Sequence, residues 1–245
     1  MIVEGIPLKG KVAIVVGNQG FRVRSLASAL AEAGAKVAIA APESVKPAIE
    51  QADRIGADIY IRATDITSAE EINNLVKQTV ARWHKVDILV NSADLMFFKP
   101  LSEISQAEWR QVIDVNLTSA FLWCQAAGRQ MLKQKRGRII NIISGLSQRG
   151  LADGVAYCAS QGAVQQMTSA LALEWAREGI RVNAIGMGWF DKSIKPNSRL
   201  ELYIPLRRLG TEGDMTSLVV YLASDASEFI TGSSFFIDGG VMAHA

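Results

Sequence analysis

Short β-branched runs alternate along this chain with stretches in which apolar residues recur every three or four positions. The first run, Val12-Ala13-Ile14-Val15-Val16, is followed by Gly17 and Gly20 and predicts a strand buried on both faces. Leu26, Leu30 and Ala33 then repeat at helical spacing up to Gly34, a residue type that closes helices in a left-handed turn. The alternation continues with a strand near 36–40, a helix near 47–55, a strand near 59–64, a helix near 68–83 and a strand near 88–91. Further strands are predicted near 138–142, 182–185 and 234–237, and the longest helix near 156–178. Buried strands joined by helices call for a doubly wound α/β domain, a parallel sheet with helices on both faces. No repeat or linker interrupts the pattern, so residues 1–245 are expected to form a single Rossmann-type domain. In such a sheet the ligand site lies beyond the carboxyl ends of the strands, where the connections diverge to opposite faces.

Composition narrows the function. With 49% hydrophobic and 20% charged residues the 245-residue chain has material for a sizeable core, and a net charge of +2 provides no concentrated field for nucleic acid. No apolar run is long enough to cross a membrane, and Glu4 and Pro7 interrupt what a signal peptide would need, so a cytoplasmic location is expected. Cys124, Cys158, His84 and His244 are too scattered for a disulfide framework or a metal site.

Residues after the predicted strands carry a more specific signal. Asp65-Ile66-Thr67, Asn91-Ser92-Ala93, Asn116 within Asp114-Val115-Asn116-Leu117-Thr118, Ser144, Tyr157 thirteen residues later, and Ile237-Asp238-Gly239-Gly240 stand in an order and spacing that resemble the short-chain dehydrogenase/reductase family over almost the whole chain. The resemblance implies a seven-stranded parallel sheet and dimers or tetramers built through two long central helices and the C-terminal strand. It also implies hydride transfer between NAD(P) and an alcohol or ketone. Tyr157 would be the acid/base and Ser144 would hold the carbonyl oxygen, with Asn116 beside them. Asp65 would contact adenine or cap its own turn, and Asn116 would relay protons or satisfy backbone groups freed by a helix interruption.

Several family positions are altered. The lysine expected four residues after Tyr157 is Gln161, whose neutral amide cannot supply the charge that brings a tyrosine from about 10 toward neutrality. In the glycine-rich cofactor loop, Gly17 is kept but Phe21 and Val23 occupy glycine positions, where backbone must approach a pyrophosphate and a helix must pack closely on a strand. Ala40-Ala41-Pro42 lacks a ribose anchor, Asp94 replaces a glycine after Asn91-Ser92-Ala93, Met187-Gly188 replaces Pro-Gly, and the lid region 189–203 is short.

These losses resemble those of the cofactor-less subunits of hydroxyacyl-CoA dehydrogenases of anaerobic toluene degradation. On that resemblance the chain is expected to bind no cofactor itself. It would be a non-catalytic subunit paired in a heterotetramer with an active paralogue, which uses NAD to oxidise a 3-hydroxyacyl-CoA-type alcohol. The alternatives are an active NAD(P)-dependent dehydrogenase with an atypical loop, using Lys192 or Arg149 as the cation, a cofactor-independent lyase, or a ligand sensor in the vacated cleft. Outside the motifs, Lys133, Lys135, Arg136 and Arg138 read as a solvated turn, Arg207 and Arg208 as an anion hold or an ion pair, and Cys158 as a small buried residue. Trp83, Trp109, Trp123 and Trp175 read as core or subunit contacts.

Overall fold

The computed structural model describes residues 7–45, 58–190 and 199–243. The helix expected near 47–55, most of the lid region with Lys192, and His244 lie outside the described residues. The strands are β1 (Val12–Val16), β2 (Lys36–Ala41), β3 (Ile59–Ala63), β4 (Ile88–Asn91), β5 (Gly137–Ser144), β6 (Ile180–Met187) and β7 (Ser234–Ile237). They form one seven-stranded sheet in the order β3-β2-β1-β4-β5-β6-β7, every pairing parallel. The expected α/β Rossmann-type architecture is therefore present. Strand order reverses between β1 and β4, which pair from Ala13↔Ile88 to Val16↔Asn91, so the ligand crevice opens above Val16 and Asn91.

The described helices are α1 (Gly20–Glu32), α2 (Ala69–Trp83), α3 (Gln106–Ile113), α4 (Ser119–Gln134), α5 (Val155–Trp175), α6 (Arg199–Tyr203) and α7 (Glu212–Ala223). On one face Val23, Leu26 and Leu30 of α1 meet Val15, Val37 and Ile39 of the sheet and Val219 and Leu222 of α7. On the other face Ile72 and Leu75 of α2 and Trp123 and Met131 of α4 pack on Ile14, Leu89 and Ile139. The strands' β-branched runs are buried on both sides because each face has its own helical layer.

Helix boundaries follow local chemistry. The Ser68 hydroxyl caps α2 by accepting from Glu71 N, and Ser105 and Glu108 form a reciprocal capping box at α3. The long helix expected near 156–178 ends earlier, at Trp175, because Ala176–Glu178 tightens into a 3-10 turn that leads to Gly179 at φ 74°. β5 and β6 outrun their predicted ends, since they pair with each other over eight residues from Gly137↔Ile180 to Ser144↔Met187. That extension carries Ser144 to the carboxyl edge of the sheet.

Arg138 corrects the reading of its basic cluster as a solvated turn. It is only 4% exposed and its guanidinium pairs with Glu228, while Arg136 bonds Asp225 at 2.5 Å and Lys135 pairs with Glu178. Trp83, Trp123 and Trp175 are buried, whereas Trp109 is 37% exposed and half-buried Cys158 sits beside Tyr157. No helix among the described residues is long and apolar enough to cross a membrane.

Candidate active site

Ser144 ends β5 and its hydroxyl accepts from Leu146 N at 3.1 Å, fixing the turn that follows. Its backbone N–H donates at 2.9 Å to Oε1 of Gln161, which is buried one turn beyond Tyr157 on α5. The residue at the lysine position thus holds the Ser144 backbone by hydrogen bonding and contributes no charge.

Tyr157 lies in the first turn of α5 and is 3% exposed, with the Phe98 ring 5.8 Å away centroid to centroid. Its hydroxyl donates to Asp94 Oδ1 at 2.9 Å. Burial, and then the Asp94 carboxylate, push the phenol far above its ordinary value, with contacts from Ser144 and Arg22 acting the other way. The phenol consequently binds its proton more tightly than a tyrosine in water.

Asp94 is itself restrained. Oδ2 pairs with Arg22 Nη1 at 3.3 Å, and Asn18 clamps the Asp94 backbone by accepting from its N–H at 3.0 Å and donating to its carbonyl at 3.2 Å. Asn116 sits in a π-helical turn, Asp114–Thr118, and accepts from Leu95 N at 2.7 Å while donating to Leu95 O at 3.1 Å and Ser160 Oγ at 3.0 Å. Asn116 therefore satisfies backbone groups of the loop after β4 and holds that loop against α5.

Other predicted residues have structural partners. Asn91 is buried and donates to Asn141 Oδ1 at 2.8 Å across the β4–β5 pair, pointing into the sheet interior. The Asp65 carboxylate accepts from Thr67 N and Oγ1 at 2.9 and 2.7 Å, so it caps its own turn, and these bonds lower its pKa. Arg208 forks onto Asp214 at 2.7 and 2.9 Å and Arg207 donates to the Leu202 carbonyl, which makes them local ties. Arg149 donates to Val241 O at 3.1 Å and Tyr203 Oη at 2.9 Å. A cleft of about 410 Å³ between Trp189, Phe190, Ile204–Leu206 and Ile237–Gly240 does not include Ser144 or Tyr157.

In the cofactor loop a Cβ on Gly17 would stand 2.6 Å from Val23 Cγ2 and 3.1 Å from Ser92 O, so a side chain there would collide with its neighbours. Val23 is fully buried in the α1–sheet contact, and Phe21 is 40% exposed at the start of α1. Arg22, between them, is the site residue that motif reading passes over. The sequence carries no signal for it, because its partner Asp94 stands 72 positions away and the two meet only through the pairing of β1 with β4.

A model of the enoyl-(acyl carrier protein) reductases matches residues 23–242. A 2-dehydro-3-deoxy-D-gluconate 5-dehydrogenase from Dickeya dadantii is 34% identical over 99% of this chain and 100% of its own length. The chain belongs to the short-chain dehydrogenase/reductase family. Among solved members, a gluconate 5-dehydrogenase from Burkholderia cenocepacia, in complex with NADP and tartrate, superimposes with a TM-score of 0.90 at 29% identity over 98% of both chains. A chain from Beutenbergia cavernae with NADP bound at low occupancy gives a TM-score of 0.88 at 33% identity over 97% of this chain and 98% of its own. These members hold NADP in chains of this same fold, which corrects the expectation that the altered loop leaves the dinucleotide to a partner subunit.

The residues present fit the phosphate end of such a cofactor. At the phosphate end, α1 begins without a side-chain cap or an acidic residue in its first turn, Gly17 keeps the turn tight, and Arg22 Nε is buried without a partner. Asp94 lies between Arg22 and Tyr157, its two carboxylate oxygens bonded one to each.

Proposed function

We propose that this chain is a nicotinamide-dependent oxidoreductase that interconverts a secondary alcohol and a ketone on a polar, acid-bearing substrate, with the dinucleotide in its own crevice. The observation that carries this reading is the meeting of Ser144, from the end of β5, with Tyr157, from the first turn of α5, at the carboxyl edge of the sheet. Relatives named for gluconate-type substrates support the substrate class. Ser144 would hold the substrate oxygen and Tyr157 would give it a proton. The dinucleotide, when bound, would supply the hydride.

The test is titration of the purified chain with NADH and NADPH, followed by turnover of a panel of keto and hydroxy acids. Saturable binding and a turnover that falls by about 10²–10⁴ in Tyr157→Phe are expected. No binding and no turnover with either dinucleotide would overturn the reading.

A second reading is favoured by one feature: no cation stands on α5 beside the phenol, because Gln161 occupies that place and bonds Ser144 N. In this reading the chain supports an active paralogue, in a heterotetramer acting on 3-hydroxyacyl-CoA-type alcohols. The long helices α4 and α5 carry Phe121 at 47% and Leu173 at 84% exposure, surfaces that would suit such pairing. Co-expression with an intact paralogue, read by mass of the purified complex, separates the two readings.

A further inference from the structure

Two charged residues that stand far apart in sequence meet in space. Arg22 follows β1 and Asp94 follows β4, the strands that flank the point where sheet order reverses. Their side chains are 12% and 11% exposed and lie 3.3 Å apart, Nη1 to Oδ2. The other carboxylate oxygen receives the Tyr157 hydroxyl at 2.9 Å. Gln19 Nε2 adds a bond to the Asp94 carbonyl at 3.3 Å. A continuous bridge from α1 through the loop after β4 to α5 thus crosses the crevice that ligands of open α/β sheets occupy.

The bridge leaves one end unsatisfied. A guanidinium has five N–H donors, yet Arg22 Nε is buried with no acceptor. The first turn of α1, to which Arg22 belongs, has no capping side chain and no acidic residue of its own, so the negative charge at this helix end comes from Asp94 alone. An anion with several oxygens would give Nε the acceptor that Asp94 does not supply, and phosphate oxygens match a guanidinium fork.

We infer that Arg22, Asp94 and Tyr157 form a latch across the crevice, and that the pyrophosphate of a dinucleotide opens it by taking Arg22 from Asp94, which releases the Tyr157 hydroxyl toward the substrate oxygen. The inference rests on the oxidoreductase reading for its ligand, but the latch itself is a property of the free chain. Two anions compete for one guanidinium, so entry of the phosphate removes the charge that holds Asp94 in place and adds a repulsion against it. The groups facing the phenol are Asp94, Arg22 behind it and the neutral Ser144 hydroxyl. Asp94 is a positioning residue in this scheme: it acts on the substrate only through Tyr157.

The experiment uses the full chain and its Asp94→Asn, Asp94→Gly and Asp94→Gly/Arg22→Ala variants. NADH and NADPH affinity is measured by calorimetry, and Tyr157 ionisation by phenolate absorbance, assigned by difference from Tyr157→Phe. Removing the competing carboxylate in Asp94→Gly is expected to tighten dinucleotide binding by about tenfold or more, within the usual range of coupling between sites. Adding Arg22→Ala should abolish that gain, which a merely structural arginine would not do. The near-isosteric Asp94→Asn should let Tyr157 ionise at lower pH without any ligand. Unchanged affinity in Asp94→Gly overturns the opening step. If no chain binds either dinucleotide, the oxidoreductase reading and the opening step fall together. The apo titration then judges the latch alone: a Tyr157 that ionises in Asp94→Asn as in the parent overturns it.

Discussion

Tyr157 shows at the residue scale how a family motif can be kept while its chemistry is reset. Burial and the Asp94 carboxylate raise its pKa, so the folded state keeps a proton that the unfolded chain releases near pH 10. Above that pH the unfolded state binds fewer protons than the folded one, and stability must fall as pH rises. Denaturant titrations between neutral and alkaline pH are expected to show this decline, flattened in Tyr157→Phe. Cys124 obeys the same physics: full burial pushes its thiol up to about 12. It should resist alkylation in the native protein and react only after unfolding, as read by mass spectrometry. Neither effect is legible from residue type, because both depend on what surrounds the group.

At the scale of elements, the ends of helices and strands decide which side chains face the crevice. α3 starts at the Ser105–Glu108 capping box, in which Ser105 Oγ receives Glu108 N at 3.2 Å and donates to its carboxylate at 2.7 Å. Ser105→Ala is expected to cost about 1 kcal/mol in urea denaturation. The π turn after α3 then presents Asn116 to Leu95, so the motif residue fixes the loop that bears Asp94. Periodicity locates these elements well, since strands buried on both faces and helices closed by Gly34 or Gly179 leave plain signatures. It misplaces ends such as Trp175 and Met187, where the pairing of β5 with β6 and a 3-10 turn override local preference.

At the scale of the whole molecule, charge as well as packing ties the sheet to the segment that leads into β7. Arg138, buried on β5, reaches Glu228 in the segment before β7 and donates through Nε to the Ser224 carbonyl at 3.3 Å. Glu228→Ala would leave that guanidinium short of its partner. A loss of about 1–3 kcal/mol is expected in thermal or chemical unfolding, less than for a fully buried pair because the Glu228 side chain is 58% exposed. Arg138→Met, which removes the charge along with its desolvation cost, should be milder.

The sequence by itself determined the α/β class, the parallel sheet and the family, because buried β-branched strands, helical periodicity and motif spacing are encoded locally and in order. It also showed that Gln161, Phe21, Val23 and Asp94 break the family pattern. Only the tertiary structure decided what those changes do. It placed Gln161 against Ser144 N, turned Asn91 and Asp65 to structural partners, and brought Arg22 onto Asp94 and Asp94 onto Tyr157. The reason is physical: a contact between residues 72 and 63 positions apart depends on how strands from distant parts of the chain register in one sheet. Asp94, which reads along the chain as a lost glycine, becomes part of one network with Arg22 and Tyr157 when their side chains are brought within hydrogen-bonding distance in a buried crevice.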